Sequence, residues 1–184
     1  MSDETPRKER RTAIKTFRLP EDLLTALEKE AEDEGTTLNA LVSTILTRYS
    51  DWGSMTRKIG MISISHGVLL AALESADENK LAEAAKRIVP TGWKDMAMFK
   101  FHEFTIDSVI QLWKLITKYG WSADLDVQKD GREYLLAFRH DLGPRFSLLL
   151  ANAFDETLRS SFHIQPVIEK SDASITVRFS EPLP

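Results

Sequence analysis

The 184-residue chain has no cysteine, which excludes disulfides, thiolate metal sites and a cysteine nucleophile together. It has no apolar run approaching the roughly 18 residues that a membrane span needs. Its first residues, MSDETPRKERR, lack the apolar core of a secretory signal. These absences predict a cytoplasmic protein without membrane attachment. Catalytic signatures are missing too: there is no phosphate-binding glycine loop, no nucleophile elbow and no carboxylate-rich metal motif, so the expectation is that it is not an enzyme. The four histidines, His66, His102, His140 and His163, are far apart and form no HxxxH or HExxH pattern. No metal and no cofactor is expected.

What is present is ordinary in amount and uneven in placement. Apolar residues make up 42% and charged residues 28%, the composition of a globular protein. The formal net charge of −4 conceals a segregation. Arg7, Lys8, Arg10, Arg11, Lys15 and Arg18 are opposed only by Glu9, whereas Glu21 to Glu34 holds seven acids and one lysine. A basic end followed by an acidic helix is a local pattern that the average hides.

Residues 1–12 carry no periodicity and read as a disordered basic arm. The stretch IKTFRLP (14–20) alternates as a strand does, with Lys15, Phe17 and Leu19 on one face and Ile14, Thr16 and Arg18 on the other. From Glu21 the period becomes helical, with Leu23, Leu24, Leu27 and Ala31 in one stripe. Pro20 suits the helix start and Gly35 its end. Thr36 and Thr37 are N-cap candidates for a second helix carrying Leu38, Leu41, Val42, Ile45, Leu46 and Tyr49. Some forty residues cannot bury two such stripes and a strand face alone. A second copy supplies the missing core, and pairing the strand with its own copy makes a ribbon that fits the major groove.

With those residues in view, IKTFRLPEDLLTALEKEAEDEGTTLNALVSTILTRY resembles the ribbon-helix-helix family of the Arc, MetJ and CopG type. The resemblance covers residues 13–52 and rests on the order of small features. It implies a homodimer or higher homo-oligomer that binds double-stranded DNA and regulates transcription. Carried over by position, Ile14, Thr16 and Arg18 read bases. Thr37 and Asn39 hold a phosphate at the second helix's N-terminus, while Arg7, Lys8, Arg10, Arg11 and Lys15 add phosphate contacts. Two positions depart from the family: Ile14 stands where a polar or basic reader is usual, and Lys15 where an apolar inward residue is usual. The other readings of this segment are a dimerisation module without nucleic acid and an antitoxin-like protein whose C-terminal half binds a protein partner.

Residues 57–184 read as a second domain, so the expected fold class is α+β: a ribbon-helix-helix unit, then helices with a β-β-α-β-β ending. Lys58 to Ser65 is a short strand or a helix start. Helices are expected over His66–Ser75 and Asp77–Val89, the latter stopped by Pro90-Thr91-Gly92, and over Glu103–Tyr119. Strands are expected on either side of an Asp130-Gly131 turn, then a helix over Pro144–Ser160 and a hairpin of 162–168 with 174–179. Trp93, Trp113 and Trp121 read as core or interface residues. The element order is faintly similar to that of vinyl-reductase-like and haem-NO-binding sensor domains, with no shared motif, and suggests a small-molecule effector or an assembly role. Its candidate ligand residues are His140, Asp141 and Arg145, where a strand meets a helix and free amides with a guanidinium could hold an anion. A plain structural turn is the other reading of that stretch.

Overall fold

A computed structural model describes residues 13–120 and 123–182. The described residues divide into two compact units, with the boundary between Thr47 and Arg48. It is a mixed α+β protein whose described strands all lie in the C-terminal half.

The first unit holds α1 (Glu21–Asp33) and α2 (Leu38–Arg48), the last residue of α2 falling in the second unit. Pro20 is the N-cap of α1, and its carbonyl accepts from the Leu24 amide at 3.0 Å. The helix ends in a full Schellman motif: Thr36 N donates to Ala31 O, Gly35 N donates to Glu32 O, and Gly35 takes φ +64°. Glycine is the residue that tolerates this left-handed position without a Cβ clash.

The expected strand over 14–20 forms no ladder within the single chain. A strand is held by hydrogen bonds to a neighbouring edge, and one copy offers IKTFRLP no such neighbour.

The second unit begins with a single π turn, Tyr49–Gly53, followed by α3 (Ser54–Lys58). Residues 61–65 are extended and join no ladder among the described residues, so Lys58 to Ser65 is neither a paired strand nor a helix start. Then come α4 (His66–Ser75), α5 (Glu78–Phe101) and α6 (Ile106–Tyr119). The stop expected at Pro90 does not occur, since α5 runs through it for 24 residues. A proline inside a helix costs about 3 kcal/mol. Here Ala85, Trp93 and Ala97 on both sides of it are buried on one face, and their packing outweighs that cost.

α6 starts later than expected because Thr105 and Ser108 form a capping box: the Ser108 amide donates to Thr105 Oγ1 and the Thr105 amide to Ser108 Oγ. It closes at Gly120, whose φ of −108° is not left-handed. Glycine is required there by space, since a Cβ would lie 2.9 Å from Trp52 Cζ2. The Trp52 ring also stacks on Tyr119 at 6.5 Å.

The sheet is antiparallel, in the order β1-β2-β4-β3. β1 (Ala123–Asp130) and β2 (Glu133–His140) are joined by a two-residue turn, Gly131-Arg132, with Gly131 at φ +57°. α7 (Gly143–Phe162) follows, then β3 (Val167–Lys170) and β4 (Ser174–Ser180). The strand expected from residue 162 starts five residues later, because α7 continues to Phe162 and the chain turns at His163 with φ +57°. Tyr134, Leu136 and Phe138 of β2 and Ile175, Val177 and Phe179 of β4 alternate into the core, as one buried sheet face requires. Against that face lies an aromatic cluster. Trp113 meets Phe154 at 4.2 Å edge to face, and Phe154 sits 4.9 Å from both Trp93 and Phe138. Trp93 and Trp113 are core residues as expected, while Trp121 lies outside the described residues.

Candidate nucleic-acid interface

The first unit has very little interior of its own. α1 buries only Ala31 and α2 only Leu41. Leu24, Leu27, Leu38 and Val42 are half-buried, and Leu23, Ile45 and Leu46 are exposed. On the extended segment Ile14 is 96% and Phe17 71% exposed. A phenylalanine left in water forgoes about 1.5–3 kcal/mol of burial, so these apolar groups form a surface that a single copy leaves open.

Thr37 is the N-cap of α2, as the sequence suggested. Its Oγ1 accepts from the Ala40 amide at 3.2 Å and its carbonyl from the Leu41 amide at 2.9 Å. The amides of Leu38 and Asn39 precede the first intrahelical bond, and at a helix N-terminus such groups favour an anion. Thr37 and Asn39 are therefore brought together at one exposed helix start. Ile14, Thr16 and Arg18 lie on the exposed extended segment, as does Lys15. Arg7, Lys8, Arg10 and Arg11 lie outside the described residues.

The second candidate, His140 to Ser147, is a built turn. His140 is buried, with Nδ1 accepting from the Leu142 amide at 3.3 Å and Nε2 2.9 Å from Ser147 Oγ. Accepting at Nδ1 fixes the neutral tautomer that carries its proton on Nε2 and donates it to Ser147. Asp141 faces His66 instead, at 3.1 Å. The Arg145 guanidinium turns back to the Glu74 carbonyl and lies 4.0 Å from the Glu78 carboxylate. The three residues do not converge on one ligand position. A cleft of about 340 Å³ beside Arg145 is lined by Leu70, Leu73 and Leu142 and carries Glu74 and Glu78, a charge balance that disfavours an anion. The pairing of His66, Glu74 and Glu78 with these groups was invisible to sequence reading because they are 67 to 75 residues away and follow no local spacing.

Burial lowers the pKa of His140 below its ordinary 6.5, with Asp141 opposing more weakly. As pH falls below 6.5 the unfolded chain binds this proton before the folded one, so the linked stability is present above 6.5 and is lost toward the folded pKa. The urea midpoint should decline from pH 7.5 to pH 5. His140→Gln, which keeps the donor to Ser147, should flatten that decline; an unchanged slope would remove His140 as its source.

Among the described residues no group of three His, Asp or Glu side chains is placed to hold a metal ion, and no helix is long and apolar enough to cross a membrane. Asp124 and Asp126 are exposed on one face of β1, and Asp126 accepts from Gln128 at 3.0 Å. No protein-family model matches the sequence, and no curated protein is significantly similar to it.

Proposed function

We propose that the chain is a dimeric, sequence-specific DNA-binding regulator, in which residues 14–20 of two copies pair as a β-ribbon in the major groove. The observation that carries this reading is the exposed Phe17 and Leu19 alternating with Thr16 and Arg18. A self-paired ribbon covers the first pair against the helices and presents the second to base edges. The capped start of α2 at Thr37 supplies amides for a phosphate, and the basic residues before the strand add sequence-independent affinity. The second unit then senses a small effector or sets higher assembly. An antitoxin-like tail that folds on a partner fits less well, because this half has its own continuous core.

Fluorescence anisotropy against the DNA upstream of the chain's own gene and a shuffled duplex, across a salt series, tests the reading. Preference for the upstream duplex with affinity falling steeply in salt is the expected result. Absence of binding at low salt would leave the segment a dimerisation device. Arg18→Ala should lose roughly 1–3 kcal/mol of discrimination at one base pair while retaining most salt-dependent affinity. An unchanged base preference would remove Arg18 from the readout.

A further inference from the structure

Residues 59–73, IGMISISHGVLLAAL, contain no Asp, Glu, Lys or Arg, in a chain where more than a quarter of residues are charged. Met61 N donates to Thr56 O and Leu69 N to Ser65 O, and between them residues 62–64 run extended and join no ladder among the described residues. Ile62 is 85%, Ile64 50% and, on the first turn of α4, Val68 58% exposed. Apolar side chains beside an unpaired, uncharged backbone edge are an invitation to pair that natural edges usually block with charge.

We propose that this edge pairs with the same edge of a second copy, antiparallel about a two-fold axis through Ser63. That register sets Ile62 of each chain opposite Ile64 of the other, on one face, with Ser63 opposite Ser63 on the reverse face. Two arguments choose the second copy over another occupant. An uncharged, alternating edge gains nothing from a charged partner, whereas its own copy matches it residue for residue, as an isologous contact requires. Area is the second argument. One short strand and a helical turn from each chain fall short of the roughly 1,000 Å² that a free-standing interface needs, so the contact requires a dimer held together elsewhere, in which the second copy is the partner always at hand. The tether is the ribbon dimer, so the inference rests on the proposed function.

The cysteine-free chain makes the test direct. Opposed residues of antiparallel strands lie at Cα separations of about 4.5–5.5 Å, within disulfide reach. Full-length Ser63→Cys should form a covalent dimer on mild oxidation with diamide, whereas Glu83→Cys, exposed on α5, should not. Adding Ile62→Ser and Ile64→Ser should slow cross-linking at least about tenfold. Adding Phe17→Asp, which removes the tether, should turn a concentration-independent rate into a concentration-dependent one. Concentration-dependent cross-linking equal in both backgrounds would keep the Ser63 contact and overturn the ribbon tether. Ser63→Cys reacting no faster than Glu83→Cys, while sedimentation shows a dimer that Phe17→Asp dissociates, would overturn the contact and leave the ribbon standing.

Discussion

Replacing Phe154 with alanine is expected to lower the stability of the second unit by roughly 3–5 kcal/mol, the range for a fully buried phenylalanine. The side chain has no exposed surface and touches Trp93, Trp113 and Phe138 at once. Its loss removes transfer energy, leaves a cavity that three rigid rings cannot collapse to fill, and forfeits the edge-to-face contact with Trp113, a term of about 0.5–1.5 kcal/mol. Urea unfolding followed by tryptophan fluorescence reads it well, because Trp93 and Trp113 are themselves in the cluster. Glu83→Ala, on an exposed turn of α5, should stay within about 0.5 kcal/mol of the parent. A loss below about 1 kcal/mol for Phe154→Ala would mean that the cluster is not the packing centre of this unit.

Phe17→Asp carries the second large effect, on assembly instead of on folding. Because Phe17 is mostly exposed in the single chain, the change should leave the melting of the second unit unaltered. In the dimer it removes two buried rings, each contributing about 1.5–3 kcal/mol. The sum of about 3–6 kcal/mol corresponds to dimer association weakened roughly a hundred- to ten-thousand-fold. Analytical ultracentrifugation should show monomer at micromolar concentrations, and specific anisotropy binding should vanish with it. A dimer of undiminished affinity that still selects its duplex would place the contact elsewhere and sink the ribbon arrangement.

The parts of the fold that sequence reading captured are those decided within one element. The helix expected over 103–119 and the strands expected around the Asp130-Gly131 turn both form, as α6 and the β1–β2 hairpin, because spacing and turn chemistry are local. The misreadings came where tertiary packing overruled a local signal. Pro90 and Gly92 read as a stop, yet Trp93 and Ala97 hold α5 against its neighbours. Phe162 reads as strand, but α7 continues through it. The candidate interface was legible as a pattern of residue types, because alternation at 14–19 and a cap at Thr37 are local. Its completion requires a second chain, which no single-chain pattern contains. At His140 the reverse held: the sequence placed three polar groups within six positions, and long-range contacts to His66, Glu74 and Glu78 drew two of them away.

The position of β4 bears on how this chain is made. Residues 174–180 do not trim an edge; they fill the gap between β2 and β3, hydrogen-bonded on both sides. During synthesis the β1–β2 hairpin and α7 leave the ribosome first, with one edge of β2 lacking the strand that pairs with it. The sheet can close only after β4 has emerged, so a nascent chain held short of it presents an open, sticky half-sheet and not a slightly shortened protein.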